Sequence, residues 1–295
     1  MFRVVSLAAA AVLASAAVPT TEIAPGVHMP QVNLGTCCGS LPTVGLNPWL
    51  DAGGNGVDTA YDYGKLCPGG KQSDIAEIFE TRQTKRTDVF ITTKIPAGLG
   101  VTPGDCLTAT ADTAVKQIKE NLKELNVDQV DLVLLHAPCK LGGDKANAKL
   151  WAGMEQALAQ NLTRAIGVSN YKQKDLEALL QGATVKPAIN QCEMSVASYS
   201  AGDIAYTQSQ NITYEAYNAM KGCPFSDPSA QKIAAGHSVS VAQVCLRWII
   251  QKGAVMAVGT GQNASTVGEY AKSDLDIFGF ELTDDEMATP GSIKN

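Results

Sequence analysis

Short β-rich runs that end in polar side chains alternate with helical runs along almost the whole chain. Such alternation is typical of parallel βαβ units. After an extended first run at residues 31–35, the strand-like runs read GVDT, VFITTK, VDLVLLH, AIGVSN, PAINQCE, ITYEAY and AVMAVG. This pattern predicts an α/β fold, a (β/α)8 TIM barrel. Ahead of it, TEIAPGVHMP has a Pro25-Gly26 turn between two extended runs, which predicts an N-terminal β-hairpin across the bottom of the barrel.

An open, doubly wound sheet is the alternative fold. It would need a glycine-rich phosphate loop, and no GxGxxG follows the first strand. The length of 295 residues, with 45% hydrophobic and 18% charged residues, fits a single globular barrel domain with a sizeable core. The net charge of -6 gives no reason to expect nucleic acid or an anionic membrane as a partner.

The helical runs are less regular than the strands. We expect a short first helix near residues 47–52, a helix in SDIAEIFE with Ser73 as its N-cap, and a last helical stretch near residues 266–271. The glycine- and proline-rich segment PAGLGVTPGD follows the third strand and is long enough to reach over the mouth of the barrel.

The first residues differ in character from the rest of the chain. Arg3, an apolar run at residues 4–18 and the small residues Ala14-Ser15-Ala16 predict a secretory signal peptide, cleaved near Ala16 or Ala17. A membrane anchor is the alternative, but a spanning helix needs about 20 apolar residues. We therefore expect a signal peptide at residues 1–17, a barrel domain at residues 18–295, and a location outside the cell or in the lumen of the secretory pathway.

Eight cysteines are consistent with an oxidising compartment. Six of them follow predicted strands and would crowd one face of the barrel, where disulfides could join the loops: Cys37, Cys38, Cys67, Cys106, Cys139 and Cys223. Their pairing stays open, since eight cysteines allow about 100 pairings. Cys245 lies in an apolar helical run and is expected to be a buried thiol, and so is Cys192. A zinc site is the alternative, but there is no CxxC pair and only three histidines, so no metal is expected.

Three N-x-S/T sequons begin at Asn161, Asn211 and Asn263. In a secreted chain they would be acceptors for N-linked glycans.

The segment GVDTAYDYG places two carboxylates and two tyrosines directly after a short buried strand. In a (β/α)8 barrel the loops after the strands form the active face, so Asp58 and Tyr63 are expected there. Other strands end in functional side chains as well: Lys94, His136, Ser169 with Asn170, and Asn190 with Gln191.

This ordered series of motifs resembles that of the aldo-keto reductases. The motifs are DTAxxYG, a strand ending in Lys, DLxLxH, GVSN and NQ, and the resemblance covers residues 21–287. It implies that Tyr63 donates a proton to a substrate carbonyl, that Lys94 lowers the pKa of Tyr63, and that Asp58 holds Lys94. His136 would hydrogen-bond and orient the carbonyl. Tyr61 and Asp62 share the turn and are expected to have no part in the chemistry.

The resemblance also implies a nicotinamide cofactor. Ser169, Asn170 and Gln191 would hold its amide and Tyr217 would stack on its ring, with Tyr214 as a competing candidate for the stacking role. The segment EAYNAM departs from the family's YSPL-like wording.

The segment expected to bind the adenosine end of the cofactor departs further from the family's sequence pattern. Gly259 and Thr260 fit the start of the phosphate-binding segment, but Thr266 stands where relatives that use NADPH carry an arginine, and Tyr270 where they carry an asparagine. No arginine occurs in residues 253–295. Because a 2′-phosphate would lose its charged partner, the cofactor is expected to be NADPH or NADH.

The expected function is thus NAD(P)H-dependent reduction of aldehydes or ketones by a monomer acting on small molecules. Cys37 or Cys38 falls where relatives often place an aromatic side chain, which predicts an open pocket with broad specificity. The alternative is a non-catalytic secreted barrel with a binding or structural role. It is motivated by the signal peptide and the missing arginine.

Overall fold

The computed structural model describes residues 17–66, 69–96 and 106–288. Its centre is a closed barrel in the strand order β10-β3-β4-β5-β6-β7-β8-β9. The barrel strands are β3 (Val32–Gly35), β4 (Gly56–Asp58), β5 (Phe90–Ile95), β6 (Val130–Leu135), β7 (Thr163–Ser169), β8 (Ile189–Glu193), β9 (Thr213–Tyr217) and β10 (Ala254–Val258). All neighbouring strands pair in parallel, and β10 pairs with β3 to close the barrel. The predicted (β/α)8 TIM barrel is confirmed.

The predicted N-terminal hairpin is confirmed as β1 (Thr20–Ala24) paired antiparallel with β2 (Val27–Pro30). Gly26 at the turn has a φ of 70°, which suits glycine, and its N–H donates to the Glu22 carboxylate. The hairpin's apolar side chains, including the fully buried Met29, pack against Phe90 and Leu132 from the barrel strands. This end of the barrel is therefore closed by apolar packing, and the polar side chains at the strands' carboxyl ends lie at the other end.

Helices cover the outside of the barrel. Within the described residues they are α1 (Pro42–Asp51), α2 (Tyr63–Leu66), α3 (Gln72–Arg82), α4 (Ala111–Leu125), α5 (Gly143–Ala159), α6 (Gln173–Leu180), α7 (Ala201–Ser209), α8 (Pro228–His237), α9 (Val241–Gln251), α10 (Val267–Leu275) and α11 (Asp284–Ala288), with a short 3-10 turn at Arg86–Asp88. Trp49, Trp151 and Trp248 are buried beneath them. Full burial of a large apolar side chain stabilises a fold by roughly 1.5–3 kcal/mol.

The expected helix boundaries were wrong in three places. The first helix begins at Pro42 rather than near residue 47, because proline suits a first helical turn. Ser73 is not an N-cap, since α3 begins at Gln72, whose buried side chain bonds Thr93 and Asn121. The last stretch continues to Leu275, and α11 was not predicted.

Two disulfides join described segments, Cys106–Cys139 and Cys223–Cys245, and Cys37 is also disulfide-bonded. The first joins the segments after β5 and β6, as expected for bridges between loops. The expectation of a buried thiol at Cys245 was wrong, because α9 brings its Cα within 6.2 Å of the Cα of Cys223. Cys192 keeps a free, partly buried thiol. Cys67 and most of the PAGLGVTPGD segment lie outside the described residues, as do residues 1–16 of the expected signal peptide.

Across the part of the chain that the structure describes, no single helix is both long and apolar enough to cross a membrane. Pro228–His237 and Val241–Gln251 meet that requirement only when taken together, as a pair bent by 83°.

Candidate active site

Lys94 is the buried centre of the polar cluster at the open end of the barrel. It has no exposed surface, and its ammonium group donates to Asp58 Oδ1 at 2.5 Å, to the carbonyl oxygen of Thr59 at 3.1 Å and to the hydroxyl oxygen of Tyr63 at 3.0 Å. An ammonium has three N–H donors, and here all three have partners. Burial would lower the pKa of Lys94, but the Asp58 carboxylate and the Tyr63 hydroxyl raise it. Lys94 is therefore a fixed, permanently charged group.

Asp58 is held from both sides. Its Oδ2 accepts a hydrogen bond of 2.7 Å from Gln191 Nε2, a residue on β8, across the barrel. Gln191 was predicted to hold the amide of a cofactor. The structure instead places its side-chain N–H on Asp58, while Gln191 still lines the cavity described below.

Tyr63 lies half-buried at the start of α2, and its hydroxyl oxygen accepts from Lys94. The proton of that hydroxyl is therefore free to point toward another acceptor. The expected effect of Lys94, to lower the pKa of Tyr63, is present but is not the largest influence on that pKa. Burial raises the pKa of Tyr63 by more than the charge of Lys94 lowers it. Tyr63 is thus a neutral phenol with a proton to donate.

His136 follows β6 directly and is 7% exposed. Its ring packs edge-on against the ring of Tyr63, with 5.6 Å between the centroids. Its Nδ1 lies 3.1 Å from Oδ1 of Asp62, which is 1% exposed and was expected to have no part in the chemistry. Seventy-four positions separate these two residues, so spacing along the chain carried no sign of the contact.

The residues predicted to hold a nicotinamide amide form one hydrogen-bonded chain beside this cluster. Ser169 Oγ donates to the carbonyl oxygen of Gln191, and Asn170 Nδ2 donates to the carbonyl oxygen of His136 at 2.9 Å. The hydroxyl of Tyr217 donates to Asn170 Oδ1 at 2.7 Å. Tyr217 lines the cavity whereas Tyr214 is fully buried, so the position of Tyr217 is the one that can face a ligand.

These groups surround a cavity of about 640 Å³. Its lining combines Asp58, Tyr63, His136, Ser169, Asn170, Gln191 and Tyr217 with the first loop (35–39), residues 218–221 and residues 257–259 and 261. Cys37, Cys38 and Gly259 are in the lining, as the sequence predicted. Thr260 is not: its side chain is fully buried and packs toward Gly45 of α1, so the structure does not bring its hydroxyl to the cavity.

Glu215, on β9, is a buried carboxyl group that the strand pattern did not mark as part of the site. It has no exposed surface, and neither of its carboxylate oxygens has a hydrogen-bond partner at ordinary geometry among the described residues, although Gln191 lies close enough to lower its pKa slightly. Burial and, after it, the charge of Asp58 raise the pKa of Glu215 to about 8. The only sign of it in the sequence was a carboxylate in the middle of the strand-like run ITYEAY.

No group of three or more His, Cys, Asp or Glu side chains is placed to hold a metal ion in the described parts of the chain. The polar cluster is built from a lysine, a phenol, an imidazole and carboxylates. These are groups for proton transfer and for holding an oxygen atom that gains negative charge.

The aldo/keto reductase family model matches residues 43–294. The chain belongs to the aldo-keto reductase family. Among its relatives, an aldo-keto reductase of Mycolicibacterium smegmatis is 32% identical over 279 residues, which cover 93% of this chain and 90% of that protein. An NADPH-dependent codeinone reductase of Papaver somniferum is 28% identical over 298 residues, covering 92% of this chain and 88% of the relative.

Solved structures of aldo-keto reductases share the fold. One from Brucella melitensis has a TM-score of 0.79 at 27% identity, covering 93% of this chain and 98% of that one. One from Bombyx mori, in complex with NADP, has a TM-score of 0.78 at 25% identity, covering 94% and 92%. Membership of the family confirms the expected class of activity, nicotinamide-dependent reduction of carbonyl compounds.

Proposed function

We propose that this chain reduces aldehydes or ketones in the cavity at the open end of the barrel, with Tyr63 as the proton donor. The observation that carries this proposal is the contact of the buried Lys94 ammonium with both the Asp58 carboxylate and the Tyr63 hydroxyl. A buried charge held this firmly, beside a phenol that lines a cavity, serves proton transfer rather than simple packing.

The proton transfer follows from the hydrogen-bond directions. A reduced nicotinamide, when bound, would supply the hydride to the carbonyl carbon. As negative charge grows on the carbonyl oxygen, the Tyr63 hydroxyl gives its proton to that oxygen. Lys94, which already donates to the phenol oxygen, stabilises the phenolate that remains, and Asp58 keeps Lys94 in place. His136 lines the same cavity and would orient the carbonyl oxygen whenever its Nε2 carries a proton.

The residues at one end of the cavity fit a nicotinamide. The flat ring of Tyr217 and the amide and hydroxyl groups of Asn170, Gln191 and Ser169 are in the lining, which suits stacking and hydrogen bonding to a carboxamide. Lys221 also lines the cavity and forms an ion pair of 2.9 Å with Glu193. Its ammonium group would offer a positive charge to the phosphates of a bound dinucleotide.

We further propose that NADH serves this chain at least as well as NADPH. Thr266 precedes α10 without a side-chain cap, and no arginine occurs in residues 253–295. A ribose 2′-phosphate would therefore lack the charged, bidentate partner that an arginine supplies. We infer that the missing arginine makes this chain differ from two relatives at the part of the site that would bind the adenosine ribose. These are the NADPH-dependent reductase of Papaver somniferum and the NADP-bound reductase of Bombyx mori.

Substrate choice is proposed to be broad. The first loop brings the small side chains of Cys37 and Cys38 to the cavity instead of a bulky ring. A wide cavity with few shaped contacts discriminates weakly between carbonyl compounds.

The proposed location is outside the cell or in a lumen of the secretory pathway, after cleavage of a signal peptide at residues 1–17, and the proposed state is a monomer. The two described disulfides support an oxidising compartment. Asn161, Asn211 and Asn263 are all exposed, as glycan acceptors must be. Secretion from a eukaryotic host, with a mass that falls after enzymatic removal of N-glycans, would support this location, and retention of an uncleaved chain in the cytosol would contradict it.

The test of function is the oxidation of NADH or NADPH by the purified, oxidised mature chain in the presence of an aldehyde. Tyr63→Phe removes the proposed proton donor and should lower kcat by about 100-fold or more, with little change in dinucleotide affinity. Tyr61→Phe removes a hydroxyl from the same turn, outside the cavity lining, and should leave kcat near wild type. Equal activity of both variants would contradict the assignment of Tyr63. Failure of the folded chain to bind either dinucleotide would favour the alternative, a non-catalytic barrel with a binding or structural role.

A further inference from the structure

Asp62 and His136 form a buried pair at the edge of the cavity. Asp62 Oδ1 lies 3.1 Å from His136 Nδ1, and both side chains are more than nine-tenths buried. The other carboxylate oxygen of Asp62, Oδ2, has no hydrogen-bond partner among the described residues. The hydrogen bond to the imidazole joins Asp62 to a residue of the cavity wall.

The direction of this hydrogen bond decides where the proton of His136 sits. An ionised carboxylate can only accept, so Nδ1 must carry a proton. Burial would raise the pKa of Asp62, but the hydrogen bond to His136 and the charges nearby lower it below its ordinary value. Asp62 is therefore ionised near neutral pH, and His136 Nδ1 is the donor.

The second ring nitrogen, Nε2, is the one left for a ligand. His136 lines the cavity, and Nε2 has no hydrogen-bond partner in the described residues. A neutral imidazole with a proton on Nδ1 has a bare Nε2, which accepts a hydrogen bond but cannot donate one. A carbonyl oxygen also only accepts, so neutral His136 cannot hold it.

We propose that Asp62 is a positioning residue that fixes His136 in the Nδ1–H form. His136 then holds a carbonyl oxygen only as the imidazolium, and as the neutral ring it accepts a hydrogen bond from an alcohol. The consequence for turnover rests on the proposed function, whereas the fixed tautomer does not.

The charged groups that face His136 determine the pH at which its imidazolium loses a proton. Burial lowers the pKa of His136 below its ordinary value, and the Lys94 ammonium lowers it further, while Asp62 and Asp58 partly oppose this. Tyr63, whose ring contacts the imidazole, is neutral because its own pKa is raised. With the imidazolium required, kcat/KM for carbonyl reduction falls about tenfold per pH unit above the pKa of His136.

The tautomer can be measured without turnover, by ¹⁵N NMR of the oxidised chain labelled on histidine. The chain has three histidines, and loss of one signal set in His136→Gln assigns the resonances of His136. His237 is an internal reference, since its Nε2, rather than Nδ1, lies 3.0 Å from Glu286. We expect a protonated Nδ1 and a bare Nε2 for His136 in wild type near neutral pH, and a protonated Nε2 for His237.

Two substitutions test whether Asp62 is responsible. Asp62→Leu removes the acceptor and should populate the Nε2–H form of His136. Asp62→Asn keeps the size of the side chain and should populate both forms, because its amide can face Nδ1 with either its oxygen or its NH2 group. Lys65→Met removes a charge from the same segment without touching His136 and should leave the wild-type form. A bare Nδ1 in wild type, or an unchanged tautomer in Asp62→Leu, would overturn the proposal.

The kinetic readout is the pH profile of kcat/KM. The tenfold fall per pH unit in carbonyl reduction should be present in wild type and in Lys65→Met, and should flatten in Asp62→Leu, whose neutral His136 can donate from Nε2. A wild-type profile without that fall would overturn the link between the tautomer and catalysis. An Nδ1–H form in a folded chain without any turnover would support the role of Asp62 and would contradict only the proposed function.

Discussion

The ammonium of Lys94 donates a hydrogen bond of 3.0 Å to the hydroxyl oxygen of Tyr63. Because the phenol oxygen is already an acceptor in this bond, the phenol proton is directed elsewhere, and the cavity lies beside it. The same ammonium also opposes the effect of burial on the pKa of Tyr63. Removing it should therefore change both the acid-base behaviour of the site and the stability of the barrel.

Lys94→Met should raise the pKa of Tyr63 further and move the alkaline limb of alcohol oxidation to higher pH, since the phenolate loses its counter-charge. The substitution also leaves Asp58 as a buried charge whose one remaining side-chain partner among the described residues is Gln191, so the free energy of unfolding should fall by about 3–5 kcal/mol. Denaturant unfolding and pH profiles measure the two effects. The double variant Lys94→Met with Asp58→Asn should recover most of the stability and none of the activity. An unshifted pH profile in Lys94→Met would show that the lysine does not act on the tyrosine.

Glu215 should make the folded chain less stable as the pH rises. Its pKa is raised to about 8 in the folded state, whereas the unfolded chain has an ordinary carboxyl. Between about pH 4.5 and 8 the unfolded state has released this proton and the folded state has not, so the free energy of unfolding falls by about 1.4 kcal/mol per pH unit from this group.

Glu215→Gln removes that dependence and should raise stability most at the alkaline end of the range, as measured by denaturant unfolding at several pH values. Asp274 is another buried carboxyl group with a pKa raised to about 7. Because it is present in both wild type and Glu215→Gln, its contribution to the pH dependence of stability cancels when the two are compared. Parallel stability curves for the two proteins would contradict the account of Glu215.

The Cys106–Cys139 disulfide links two cysteines that are 33 residues apart in sequence. Cys139 lies in the loop that follows His136. Replacing both cysteines by alanine should lower the free energy of unfolding by about 3–4 kcal/mol, because the unfolded chain regains the freedom that the cross-link removed. Cys192→Ala serves as a comparison that removes a partly buried thiol without a disulfide. The free energy of unfolding is measured under non-reducing conditions. If it falls equally in the double alanine variant and in Cys192→Ala, the cross-link itself contributes little.

Thr266→Arg should tighten the binding of NADPH about 10- to 100-fold and leave NADH nearly unchanged, since a charge-assisted contact to a phosphate is worth roughly 1.5–3 kcal/mol. Thr266 makes no side-chain cap to α10, so the substitution should cost little stability. Fluorescence titration with each dinucleotide gives the two dissociation constants, and Thr266→Gln controls for the longer side chain. An equal gain for both dinucleotides would place the ribose phosphate elsewhere.

Much of this architecture was predictable because it depends on local patterns. The alternation of strand-like and helical runs depends on which side chains face a core, so the barrel, the hairpin and the strand ends followed from it. Asp58, Tyr63 and Lys94 were predicted to meet because the carboxyl ends of parallel strands lie at one face. Their direct contacts confirm the placement, while the catalytic role of each residue remains a prediction.

Contacts between distant segments were not predictable in the same way. The structure pairs Cys245 with Cys223 and turns Gln191 toward Asp58, and it withdraws the hydroxyl of Thr260 from the cavity. Each depends on the direction of a side chain and on the packing of a neighbouring element, which spacing along the chain does not describe.

The sequence by itself determined the family, the barrel and the set of groups that meet at its open end, because periodicity and strand-end residues are local properties of the chain. The tertiary structure alone decided the state of those groups. It buried Tyr63 enough to raise its pKa, and it set Asp62 against Nδ1 of His136. A pKa and a tautomer depend on what lies within a few ångströms of a group, and in a closed barrel those neighbours come from strands that are far apart in sequence.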